Sequence, residues 1–159
     1  MNRTRALIAL GALLVLGAVN FSIVGKESTI RNGVVVYLNL APVDPRSIMQ
    51  GDYMTLRFRL AQDIRTTVKP LPPEGGTALA PINIATNKVG SLALASETGN
   101  IRIRYRIRKG EVWLGTNAFF FEEGREPQYR EARYGEFRVD PTSGEAVLVG
   151  LRDAGLKPL

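Results

Sequence analysis

A chain of 159 residues with neither cysteine nor histidine has no means of forming a disulfide, a thiolate nucleophile, a Ser-His-Asp triad or a zinc centre of the usual Cys/His kind. Only Arg3 and Arg5 of its 21 basic residues precede a long apolar segment, and all 15 acids follow it. The remainder is therefore mildly basic, without the dense cationic clustering of a nucleic-acid binder, and long enough for one domain with its own core. No cofactor and no metal are expected.

Residues 6–24 carry no charge and only Asn20 and Ser22 as polar interruptions. As a helix they reach ~28 Å, close to the ~30 Å hydrocarbon thickness of a bilayer. The chain is thus expected to divide into a cytoplasmic tail (1–5), a transmembrane signal anchor (6–24) and an extracytoplasmic β-rich domain (26–159). Arg3 and Arg5 before the span, with Lys26 and Glu27 after it, orient the N-terminus towards the cytoplasm. The competing reading is a cleaved signal peptide, which needs a shorter apolar core and a small-x-small cleavage site; none stands around Val24-Gly25-Lys26.

Residues 34–40 are β-branched and apolar and read as a buried, central strand that delivers the chain to a polar loop. In that loop Asp44-Pro45 reads as a helix N-cap with proline at the first helical position, residues 47–50 as one short turn, and Gly51 as its stop. From Tyr53 the residues alternate. Met54, Leu56, Phe58 and Leu60 fall on a core face, and Tyr53, Thr55, Arg57 and Arg59 on the other.

The string Gly51-Asp52-Tyr53, two residues, Leu56, one residue, Phe58 resembles the signature of the bacterial GDYXXLXY domain family, with Phe58 where the family has Tyr. Pro42-Val43-Asp44-Pro45-Arg46 upstream, Ala132-Arg133-Tyr134-Gly135-Glu136 and Leu148-Val149-Gly150-Leu151 are also similar to that family. The resemblance implies an extracytoplasmic domain on an anchor in the bacterial inner membrane, often associated with multi-span membrane proteins, and no particular activity.

Further along, residues 61–68 are open between a helical turn and an extension of the strand, and residues 70–76 are a loop. Residues 82–84 and 89–95 are weaker strands, and 98–100 a turn. Residues 101–108 alternate isoleucine or tyrosine with Arg102, Arg104, Arg106 and Arg108, and Lys109-Gly110 suits a two-residue hairpin. That register sets Arg108 opposite Glu111, Arg106 opposite Trp113, Arg104 opposite Gly115 and Arg102 opposite Asn117, with a cation–π contact from Arg106 to Trp113. Residues 119–121 continue the strand, 127–134 read as a two-turn helix stopped by Gly135, and 136–139 with 145–151 form a hairpin about Asp140-Pro141-Thr142-Ser143-Gly144, followed by a short tail. The fold class is mainly β, leaning to α+β: an N-terminal transmembrane helix, then a small β-sandwich or barrel-like domain with one or two short helices.

Asp44 and Asp52 with Arg46 between them have the elements of a cation or acid–base site, but capping and loop hydrogen bonding account for both carboxylates more simply. Ser47 is similar to the nucleophile of the signal peptidase class, in which lysine activates serine. There Met-Pro follows the serine, whereas Ser47 precedes Ile48-Met49-Gln50, and the lysine would be Lys88 or Lys109. The arginine face is either a solvated sheet surface offset by Glu111, Glu122, Glu123 and Glu126, or a docking surface for acidic loops or lipid headgroups. The function expected is a non-catalytic, membrane-anchored accessory module whose partners are a multi-span membrane protein and the lipid bilayer, with no nucleic acid. Asp44, Pro45, Arg46, Gly51, Asp52, Tyr53, Leu56 and Phe58 form the recognition motif, and Arg102, Arg104, Arg106 and Arg108 a second, basic surface. The alternatives are a Ser-Lys envelope hydrolase and an anionic-ligand sensor.

Overall fold

The computed structural model describes residues 3–41, 49–50, 53–93 and 99–159. The chain opens with a helix of 30 residues, α1 (Arg3–Asn32), which spans ~45 Å at ~1.5 Å per residue. It runs past the expected end at Val24 because nothing breaks it before Gly33, and Arg31 pairs with Glu27 one turn back at 2.5 Å. Residues Leu7–Asn32 form a helix long and apolar enough to cross a membrane. Its apolar side chains from Leu7 to Val24 are left uncovered by the rest of the molecule.

Gly33 alone separates α1 from β1 (Val34–Asn39). The elements that follow are β2 (Met49–Gln50), β3 (Tyr53–Thr55), α2 (Arg59–Thr67), β4 (Thr77–Ile84), β5 (Val89–Leu92), β6 (Ile101–Arg108), β7 (Glu111–Trp113), β8 (Ala118–Phe120), α3 (Glu126–Tyr129), β9 (Tyr134–Val139) and β10 (Ala146–Arg152). Seven strands form one mixed sheet in the order β10-β9-β1-β5-β4-β6-β7, and β2-β3-β8 form a second, small sheet. The large sheet curls into a half-barrel, antiparallel except where β1 runs parallel to β5. Its concave face holds Val36, Leu38, Ile82, Ile103, Tyr105, Phe137 and Val139, all buried.

The curl brings the β9–β10 turn against β6. The Arg104 amide donates to the Gly144 carbonyl at 2.7 Å, and the Arg104 guanidinium donates to the Ser143 carbonyl at 2.9 Å. Asp140 shapes that turn by accepting the Thr142 and Ser143 amides at 3.0 and 2.6 Å. These hydrogen bonds, the Ser143 amide foremost, hold its carboxyl below the ordinary aspartate range.

Several expectations are met, and others are corrected. The β6–β7 hairpin pairs Arg106 with Trp113, Ile107 with Val112 and Arg108 with Glu111, the register read from the turn. Beyond Trp113 the register fails: Gly115 has φ +83°, and the space a Cβ would take there is filled by the Ala146 carbonyl oxygen at 2.7 Å. The chain is thereby turned away, and β8 pairs with β3 instead, Tyr53 opposite Phe120. The cation over Trp113 is Arg108, 5.0 Å from the ring centroid, and not Arg106; the diagonal neighbour is within reach of so long a side chain.

The motif strand is shorter than its alternation suggested. Met54, Leu56, Phe58 and Leu60 are all buried, yet the strand ends at Thr55, and Leu60 lies on α2, where Leu60 and Ile64 bury one helical stripe. Met49 and Gln50 belong to a strand and not to a helical turn, because they pair with Met54 and Tyr53. The helix expected at 127–134 is the four-residue α3, and Tyr134 opens β9, since the Leu40 amide takes the Arg133 carbonyl and draws the chain into the sheet. The C-terminal tail folds back on β10: Arg152 donates to the Leu156 carbonyl at 2.8 Å, and the Leu159 amide to the Leu151 carbonyl at 3.1 Å. Leu94, Ala95 and Thr98 of the expected strand and turn lie outside the described residues.

Candidate interaction site

Of the motif residues singled out, Asp44, Pro45, Arg46, Ser47, Gly51 and Asp52 lie outside the described residues, and Tyr53, Leu56 and Phe58 within them. The described three part company. Tyr53 stands half-buried on the small sheet, its ring 5.8 Å from that of Phe120, and Phe120 is 73% exposed. Leu56 and Phe58 point the other way and are among the most buried side chains of the domain. This stretch therefore carries a half-buried aromatic ring on one face and core on the other, as its period of two dictates.

Phe58 packs edge-on to Phe137, with ring centroids 5.1 Å apart at 73°. A Cβ on Gly135 would lie 2.8 Å from Phe58 Cε1, 3.1 Å from Leu148 Cδ1 and 3.2 Å from Phe137 Cε2. Three separate stretches of sequence thus meet at one point: the motif through Phe58, residues 132–136 through Gly135, and residues 148–151 through Leu148. Only a residue without a side chain leaves room for the ring. A bridge from Leu40 to Phe58 ties this point to the end of β1, and the Leu56 amide donates to the Asn117 carbonyl at 2.6 Å, which fixes β8 beside the motif.

Sequence reasoning passed over Phe120. The signal was in the run Phe119-Phe120-Phe121, where alternation must send the middle ring to the face opposite its neighbours. Phe119 and Phe121 both pack on Tyr129, at 5.2 Å each, and Phe120 faces out beside Tyr53. It also passed over Arg152, which pairs with Glu136 at 2.6 Å and lies 5.0 Å over the Tyr37 ring; this is a half-buried clamp on the outer face of β9 and β10.

The four arginines of β6 are exposed, alternating strictly with buried residues. Among the described residues none of them is in an ion pair: Glu122 and Glu126 pair instead with Arg125 and Arg130, at 3.0 and 3.2 Å. Arg104, Arg106 and Arg108 line a cleft of about 300 Å³ together with Lys26 of α1, Trp113 and Glu145. Lys26 forms an ion pair with Glu145 there, so the helix end and the arginine face belong to one surface. Tyr105 stands under this cleft, and burial pushes its phenol above the ordinary range. A smaller hollow of about 130 Å³ lies between α2 and β7 beside Leu56 and Phe58, below the usual size of a small-molecule pocket.

Lys88 and Lys109 are both exposed and sit in turns with φ of 67° and 52°. Neither has the desolvated setting that makes lysine a base. The Lys109 turn is held by Glu74, which accepts the Lys109 and Gly110 amides at 2.6 and 3.2 Å.

An apolar helix continuous with a curled, mixed-sheet domain, with Tyr53 of the motif on a small auxiliary sheet, defines the architectural class. A family model described as GDYXXLXY protein matches residues 15–151, and the chain belongs to that family. No curated protein and no solved structure matches it.

Proposed function

We propose that this chain is a single-pass protein of the bacterial inner membrane, N-terminus in the cytoplasm, whose periplasmic domain is a non-catalytic accessory module for a multi-span membrane protein. The observation that carries this reading is the joint between helix and domain. Gly33 is the whole connection; its amide donates to the Thr29 carbonyl at 2.9 Å, and a Cβ there would lie 2.4 Å from that oxygen and 3.1 Å from the Val139 amide. Thr29 is 5% exposed. The joint holds the end of α1, from Thr29 to Gly33, against the sheet, so the apolar segment runs into the domain as one continuous helix. The family match beginning at residue 15, inside the apolar run, supports the same view.

The docking edge is the motif sheet, where Phe120 and Tyr53 offer adjoining aromatic surface, the composition favoured at interface hot spots. Crosslinking and pull-down of the full-length protein from its native membrane tests this, run beside Phe120→Ala and Tyr53→Ala forms with wild-type unfolding curves. Capture of one multi-span protein, reduced at least tenfold in the variants, is expected for a hot-spot pair. Capture that is indifferent to both substitutions refutes the motif edge as the interface.

A further inference from the structure

The sequence shows an arginine stripe and a helix, but only the structure shows that they share a cleft. Residues 6–24 fill the hydrocarbon, so Lys26 lies two residues beyond it, ~3 Å along the axis. The headgroup layer is about 5–8 Å deep on each side of the core. Lys26 therefore sits within it. Because Lys26 pairs with Glu145 and lines the same cleft as Arg104, Arg106 and Arg108, the cleft opens at headgroup level. Its lining holds four cations and the Glu145 carboxylate, with Glu111 opposite Arg108. Arg104 is held by the Ser143 carbonyl and Arg108 by the Trp113 ring, while Arg106 is exposed on the same face. Trp113 itself is a residue type enriched at the membrane interface.

We propose that this cleft binds the headgroup of an anionic phospholipid of the bilayer that α1 crosses, with Arg106 and Arg108 contacting the phosphodiester and Lys26 beside it. This rests on the membrane-anchored reading above. Guanidinium groups suit the task because their fork of donors matches phosphate oxygens, and tethering supplies the lipid at high effective concentration. The arrangement selects by charge, so a zwitterionic headgroup, whose own ammonium meets the arginines, is disfavoured.

The test is native mass spectrometry of the full-length protein taken from bilayers of phosphatidylcholine containing a minority of phosphatidylglycerol, counting the lipid each form retains. The wild type is expected to retain phosphatidylglycerol in preference. Arg106→Gln should lower that retention about fivefold, Arg106→Gln/Arg108→Gln about 25-fold, and the charge-matched Lys157→Gln on the C-terminal tail not at all. Equal retention by all forms overturns the cleft as the site. Equal retention of the two lipids by a chain that resists alkaline extraction overturns headgroup selection and leaves the anchor standing. A chain released by alkaline extraction overturns both readings. Displacement of the lipid by an equal concentration of soluble glycerol phosphate also overturns the proposal, because it makes the ligand a free anion.

Discussion

Gly135→Ala is the sharpest probe of how the motif holds the fold. The new methyl would lie 2.8 Å from Phe58 Cε1 and within 3.2 Å of Leu148 and Phe137, against an optimum of about 3.5–4.0 Å between carbons. Relief requires the Phe58 ring to move by about 0.7–1.2 Å, in a core where Phe58 is 3% exposed and braced by Phe137. Overpacking of this kind costs about 1–3 kcal/mol, from which about 0.4–1 kcal/mol is recovered through the stiffer unfolded chain. Phe58→Leu alone costs about 1–2 kcal/mol through lost burial, but it removes the ring edge that the methyl strikes. The double variant should therefore be more stable than the sum of the single effects by about 1 kcal/mol. Urea unfolding of the full-length protein in detergent, followed by the fluorescence of Trp113, the single tryptophan, measures all four corners. Additivity within about 0.5 kcal/mol would show that the ring is not the wall of the glycine site, and the convergence of the three stretches would lose its physical basis.

Asp140→Ala should lower stability at neutral pH by about 1 kcal/mol, a figure kept small by the solvent around the turn. Because the native carboxyl is held below the ordinary value, its contribution is complete above about pH 4 and disappears as pH falls through the native value; the gap between wild type and Asp140→Ala in urea midpoint should close on acidification, and a constant gap refutes the assignment. Gly33→Ala, which sets a methyl 2.4 Å from the Thr29 carbonyl oxygen, should cost about 1–3 kcal/mol by disturbing the helix-to-sheet joint; an unchanged urea midpoint counts against that joint being close-packed. Intact-mass measurement of the protein purified from its native membrane should return a chain that retains residues 6–24, whereas a form beginning near Lys26 would show that the helix is removed.

What could be read from the sequence divides by the range of the interaction. The Lys109-Gly110 turn and the Ile/Arg alternation determine the β6–β7 register together, because both act within a dozen residues of each other. The register stops being legible at Gly115, whose backbone is turned by the Ala146 carbonyl, a contact made across the chain. The same holds for Arg104, which reads as one cation of four and is in fact a strut to the Ser143 carbonyl. Residues 61–68 are open between helix and strand because the stretch is short and its apolar residues fit either period; burial of Leu60 and Ile64 on one stripe selects the helix, which also takes in Arg59 and Leu60. Of the candidate site, the Tyr53 strand and the arginine stripe were legible as patterns, and their neighbours Phe120 and Lys26 were not, since those juxtapositions come from strand pairing and from the packing of α1.

β1 runs from the joint with α1 to the neighbourhood of the Tyr53 strand. β1 starts at Val34, immediately after the joint with α1, and at its far end Leu40 bridges to Phe58 beneath the motif sheet. Six residues of strand cover ~20 Å, so the bridge to Phe58 stands about that far along β1 from the joint with α1. Gly33 alone joins helix and strand, so on the anchored reading proposed above the domain follows the helix without a linker. On the anchored, accessory reading proposed above, a multi-span partner meets the Tyr53–Phe120 edge through a loop or domain outside the bilayer, and crosslinks from a probe placed at Phe120 should map to such a segment. Crosslinks confined to membrane-embedded segments of the partner would refute this placement of the edge.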